Sequence, residues 1–142
     1  NFIYWSMLEK SLPLTGTGDE TRDFTYVLDL VQGLIKAAFF KEAIGQAFNL
    51  ASGKETKIQD MISMVNQSTG NTTPITQFPP RKWDTKKRLL ASIELAGELI
   101  DYKPIVSFED GLNENFKWFG NNWDKVQKAA DFPIGMSSAV RK

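Results

Sequence analysis

Gly16-Thr-Gly-Asp-Glu-Thr-Arg-Asp-Phe-Thr-Tyr-Val27 changes character twice within a short span. Gly16 and Gly18 can take positive φ at no steric cost, so the chain can reverse there. Arg22 and Asp23 follow, with Phe24, Tyr26 and Val27, residue types that favour a strand. From Val27 the apolar period lengthens from two to about 3.6, the mark of a helix. The stretch therefore reads as turn, short strand, helix. It places a guanidinium, a group that binds phosphate through two parallel bonds, at the mouth of the unit.

The rest of the chain repeats this alternation. Residues 2–8 are apolar at helical spacing. Leu12-Pro-Leu-Thr15 is a short extended piece that Pro13 confines to a sheet edge or strand end. A clear helix is predicted over residues 27–40, with Val27, Leu30, Val31, Leu34, Ile35 and Ala38 as its buried stripe. Gly33 costs that helix about 1 kcal/mol against alanine unless something packs closely on it. Residues 46–51 read as a buried strand between Gly45 and the Ser52-Gly53 turn. A second helix spans 56–69, capped by Thr56, with Ile58, Met61, Ile62 and Val65 inward and Gly70 closing it. Residues 74–78 are extended, and residues 79–84 form an irregular loop held open by two prolines. After residues 88–91, Ser92 caps a helix through Ile100 that buries Leu95, Leu99 and Ile100. Ser107-Phe-Glu-Asp110 then opens a long last helix with Leu112, Phe116 and Phe119 on one stripe. The pattern favours α/β with parallel strands, or a small α+β lobe. A single lobe is expected over residues 1–131, with an irregular tail at 132–142.

Several chemistries are excluded outright. The chain has 142 residues and neither cysteine nor histidine. Disulfides, thiolate metal sites and cysteine nucleophiles are therefore absent, as are the commonest general base and metal ligand. Seventeen basic and 17 acidic residues leave no net charge, which argues against general binding to nucleic acid or an anionic membrane. No apolar run has membrane-spanning length, and no basic region precedes an apolar one as in a signal peptide. A cytoplasmic location is the expectation. The chain begins at Asn1 without methionine and runs at once into Phe2, Ile3, Tyr4 and Trp5. That reads as a segment from within a longer protein.

Gly16-Thr-Gly18 falls short of a dinucleotide loop, because its sixth position is Thr21 and a strand follows where a helix is needed. Tyr4, Tyr26 and Tyr102 are followed four residues later by Leu8, Leu30 and Val106. None forms the tyrosine–lysine pair of a short-chain oxidoreductase. No self-sufficient catalytic constellation is present, and the chain alone is expected not to turn over substrate. What remains suits binding. Arg22 and Arg81 each lie where an extended or irregular stretch meets a helix, and each is followed by an acid, Asp23 and Asp84. They are either two halves of an anion site or surface ion pairs of little worth. Trp83 could stack a base beside them. Asn49, inside an apolar segment, needs a partner if buried.

Thr-Gly-Asp-Glu-Thr-Arg22-Asp-Phe-Thr-Tyr-Val-Leu-Asp29 resembles the G-x-G-x-x-x-R-D-F-x-Y-V-x-D segment of nucleotide-sugar epimerases and dehydratases of the extended short-chain dehydrogenase/reductase family. Four further segments agree in order. Leu12-Pro-Leu-Thr15 resembles the family's strand before the turn, and Ala47-Phe-Asn-Leu-Ala-Ser-Gly53 its hydrophobic-N-hydrophobic-G-S-G. Arg81-Lys-Trp-Asp84 resembles its R-x-x-D. Ser92 to Pro104 with Ser107 to Leu112 resemble its closing S-x-x-K-A-x-x-x-L-G-Y-x-P-x-x-S-x-x-x-G-L, with departures at Gly97 and at Ile100-Asp101.

The resemblance covers residues 1–119 and implies the C-terminal portion of a Rossmann-type protein, a small mixed α/β substrate-binding lobe. It implies that NAD or NADP and the catalytic tyrosine and lysine belong to an N-terminal half, that no metal takes part, and that the full-length form is a homodimer. It also implies site roles. Arg22 would meet the diphosphate of a nucleotide sugar, Arg81 the diphosphate or ribose, and Asp84 the ribose hydroxyls. Pro13 and Thr15 would lie beside the base, and Asn49 near the nucleotide pocket. The alternative is a non-catalytic relative that binds a nucleotide or a protein.

Overall fold

A computed structural model describes residues 1–82 and 85–130. Helix α1 (Phe2–Met7) leads into strands β1 (Pro13–Thr15) and β2 (Thr21–Asp23), then helix α2 (Val27–Phe39). Strand β3 (Glu55–Lys57) runs directly into α3 (Ile58–Thr69), followed by β4 (Thr76–Phe78) and β5 (Arg88–Leu89). Helices α4 (Glu94–Ile100), α5 (Phe108–Asn121) and α6 (Trp123–Ala129) complete the described chain. Strands and helices are mixed as expected, in two small sheets. β1 pairs in parallel with β4, setting Thr15 opposite Phe78. β2 is central in the other sheet, antiparallel to β3 and parallel to β5, with Arg22 opposite Thr56 and Leu89.

The glycine turn joins the two sheets and carries an unforeseen duty. Gly16 and Gly18 hold φ of 86° and 88°, conformations open to glycine. Their turn aims carbonyls at the start of α3. Gln59 N–H donates to Gly18 O at 3.0 Å and Ile58 N–H to Glu20 O at 2.9 Å. The first N–H groups of a helix lack intrahelical partners, and here the turn's backbone supplies them. Thr56 is therefore not the cap expected from the sequence. It lies in β3, and α3 begins two residues later with no side-chain cap. Gly70 does end α3, at φ 72°.

Two apolar clusters hold the chain. The larger joins α1, β1, α3 and α5 through Trp5, Leu12, Leu14, Met61, Ile62, Val65 and Leu112. The smaller is built from Ala96, Ile100 and Tyr102, with Ala37, Phe48, Leu50 and Leu99 packed on it. Ser107 caps α5 as expected, accepting from Asp110 N–H at 3.0 Å.

Three further expectations fail, two of them for one reason. The segment 46–51 is not a strand, and only Ala51 in it is buried. The stripe expected inside on α2 faces outward, with Val27, Val31, Leu34 and Ile35 exposed and Phe39 83% exposed. The side of α2 that is buried carries Asp29 and Gly33. A strand needs a neighbour to satisfy its backbone, and an apolar stripe needs a covering layer. Neither is supplied among the described residues. Third, α4 leaves Leu95 exposed and buries Ala96 and Ile100, the side that packs on Tyr102; its N-cap is Ile93 rather than Ser92. Asp84, Trp83 and the boundary expected at 131/132 lie outside the described residues.

Candidate functional site

β2 and the segment after β4 converge on one cleft. It has a volume of about 130 Å³ and is lined by Thr15, Gly16, Glu20, Arg22, Ile58, Pro80 and Arg81. The route is local at each step. The glycine turn reverses the chain so that β2 carries Arg22 back past the end of β1. The parallel pairing of β4 with β1 brings the chain to Pro80 and Arg81 beside Thr15. Two guanidiniums separated by a long stretch of sequence thus share one concavity.

The Arg22 guanidinium is held at one end. Its Nη1 donates to the carbonyl oxygens of Thr21 at 2.8 Å and Lys86 at 3.1 Å. Arg81 is half-buried, and no ion pair to it is found among the described residues. Asp23, next in sequence to Arg22, serves the chain itself. Its carboxylate accepts from Ser52 N–H at 2.9 Å, Ser52 Oγ at 2.5 Å and Gly53 N–H at 3.0 Å. It therefore ties the Ser52-Gly53 turn to β2 instead of neutralising the arginine.

Glu20 is the cleft residue that the sequence reading missed. Gly18 N–H donates to Glu20 Oε2 at 2.9 Å and Thr17 N–H to Oε1 at 3.4 Å. Hydrogen bonding from its own backbone N–H holds the carboxyl below its ordinary value. The Gly18 and Thr17 groups and the Arg22 charge add to this, against the opposing push of partial desolvation. The signal available in the sequence was its position, two residues before the arginine and inside the glycine turn.

The remaining expected residues are spread more widely. Thr15 lines the cleft, while Pro13 is buried in β1 behind it. Asn49 is exposed and donates from Nδ2 to Ser92 O at 3.2 Å. It lies in an adjoining open depression of about 520 Å³ that it shares with Arg22, Asp23, Leu50 and Leu89. Arg22 thus borders both concavities, one shared with Arg81 and the other with Asn49. Among the described residues no cluster of His, Cys, Asp and Glu could hold a metal ion, and no helix is long and apolar enough to cross a membrane.

No family model matches the chain. Individual proteins do. The chain is 31% identical to UDP-glucuronic acid decarboxylase 1 of Danio rerio over 142 residues, which is 100% of this chain and 33% of the relative. The solved structure of epimerase Mth375 from Methanothermobacter thermautotrophicus superposes with a TM-score of 0.91 at 46% identity, over 93% of this chain and 39% of that one. The Bordetella bronchiseptica enzyme WbmF, solved in complex with NAD+ and UDP, superposes with a TM-score of 0.76 at 36% identity, over 89% of this chain and 37% of that one. The chain thus spans between a third and two fifths of the proteins it matches.

Proposed function

Because the chain belongs to the extended short-chain dehydrogenase/reductase family of nucleotide-sugar epimerases and decarboxylases, as the C-terminal part of that fold, we propose that its cleft holds the diphosphate of a nucleotide sugar. The observation that carries this reading is the convergence of Arg22 and Arg81 on one concavity. Each guanidinium can give a diphosphate charge-assisted hydrogen bonds worth roughly 1.5–3 kcal/mol. Thr15 and Gly16 line the same space, in a place suited to the nucleoside. In this reading Asp84 accepts from the ribose and Asn49 reaches the ligand from the adjoining depression.

The role is positioning, which can supply a large share of catalysis. The Gly16–Gly18 turn does not fit a dinucleotide, since it leads into β2 rather than a helix N-terminus. NAD or NADP in the complete enzyme would therefore be held chiefly by other residues. The outward stripe of α2 and the unpaired segment beside Leu50 support a further body of protein packing there. A protein of this kind would work in the cytoplasm, as a homodimer in its full-length form.

Isothermal titration of UDP into the complete gene product that carries this chain tests the reading. Arg22→Ala and Arg81→Ala should each weaken binding about tenfold to a hundredfold, with folding unchanged by circular dichroism. Equal affinity in wild type and both variants would reject the cleft as the diphosphate site.

A further inference from the structure

Within the cleft, Glu20 opposes the two arginines. Its carboxylate is tied back to the turn that precedes it. The Gly18 and Thr17 N–H groups anchor it, and a Cβ at position 16 would come within 2.6 Å of its Oε1. Gly16, having no Cβ, leaves that space to the carboxylate. Any anion held by Arg22 and Arg81 would sit in a concavity one of whose walls carries this fixed negative charge.

The cost of that charge depends on the ligand. A diphosphate esterified at both ends carries one negative charge per phosphate. A diphosphate with a free terminal phosphate carries close to one more at neutral pH. Both can use the arginines, so the arginines alone discriminate little between them. A fixed carboxylate discriminates by the difference in charge, since like-charge repulsion penalises the more highly charged ligand. We propose that Glu20 sets the charge selectivity of the cleft, favouring a doubly esterified diphosphate over one ending in a free phosphate. For an enzyme acting on a nucleotide sugar, this would lower the share of the site occupied by the corresponding nucleoside diphosphate. The inference rests on the diphosphate reading above.

Glu20→Gln separates charge from shape, because the amide keeps the size and an acceptor oxygen. Affinities for UDP and UDP-glucose are measured by titration in the complete gene product, at low and at high salt. The variant should improve UDP binding relative to UDP-glucose by about fivefold at low salt, and by less at high salt, where charges are screened. Glu20→Ala should shift the ratio in the same direction while lowering the melting temperature. An unchanged ratio in Glu20→Gln overturns the proposal, whether both affinities fall together or neither moves. So does a shift seen in Glu20→Ala alone, which would make the role purely structural. Failure of the wild type to bind either ligand would instead show at the outset and remove the diphosphate reading itself.

Discussion

The phenol of Tyr102 donates to the carbonyl of Ala51 at 3.0 Å, with both residues buried. This bond fastens the loop after α4 to the end of the segment that carries Asn49. It also fixes the Tyr102 ring against α2, where a Cβ at Gly33 would meet it at 2.8 Å.

Tyr102→Phe should leave the Ala51 carbonyl buried without that donor and destabilise the protein by about 1–3 kcal/mol. Burial pushes the Tyr102 phenol up from its ordinary value, and the charges of Asp29 and Asp23 push the same way. A raised folded-state pKa means that the unfolded chain loses its proton first. Stability is therefore fully present below about pH 10 and falls as pH rises toward the folded value. Chemical denaturation at a series of alkaline pH values should show that decline in wild type, and Tyr102→Phe should reduce it.

Gly33→Ala sets two effects against each other. Alanine favours the helix by about 1 kcal/mol, but its methyl would stand 2.8 Å from Leu50 Cδ2 and from Tyr102 Cε2. Leu50 can rotate away. The Tyr102 ring is held by its hydroxyl, so the overpacking cost of about 1–3 kcal/mol should win. A rise in the denaturation midpoint would show that the ring moves more freely than its hydrogen bond suggests.

Asp29 is 5% exposed and accepts from Ile105 N–H at 3.2 Å and Val106 N–H at 3.0 Å. Asp29→Ala orphans two backbone donors and should cost about 3 kcal/mol. Amide exchange at Ile105 and Val106 should accelerate in step with that loss. Protection retained at both amides would mean that another acceptor replaces the carboxylate.

Ser107→Ala removes the side-chain cap of α5 and should cost about 1 kcal/mol, whereas Ser107→Gly should cost only a few tenths of that, since glycine is itself tolerated at an N-cap. Fraying should appear at the first turn of α5, read by amide exchange at Asp110.

Leu34 is 56% exposed and Phe39 83% exposed on the outward stripe of α2. If the rest of a larger enzyme covers that stripe, Leu34→Glu with Phe39→Glu should make the isolated chain more soluble and destabilise the complete gene product by several kcal/mol. Indifference of the complete product's thermal melt to both changes would mean that the stripe faces water there too.

Much of the architecture was legible from residue order. The glycine turn, the strand bearing Arg22, the helix after Val27, the Gly70 stop and the Ser107 cap are local events governed by backbone torsions and near-neighbour hydrogen bonds. The cap of α3 was not legible, because its acceptors are carbonyls of Gly18 and Glu20, and a carbonyl has no sequence signature. Nor was the duty of Asp23, which is set by the Ser52-Gly53 turn folding back onto it rather than by its arginine neighbour.

What the order of residues determined alone was the set of segments and the kinds of side chain available: arginines at 22 and 81, no histidine, no cysteine, no catalytic pair. Only the tertiary structure decided that Arg22 and Arg81 line the same cleft, and that Glu20 lies there with them. The physical reason is the parallel pairing of β1 with β4. It joins strands far apart in the chain, and its register depends on the whole packed layer beneath. The outward stripe of α2 marks the opposite case, where helical periodicity was read correctly but burial was not, because burial belongs to whatever packs against a surface.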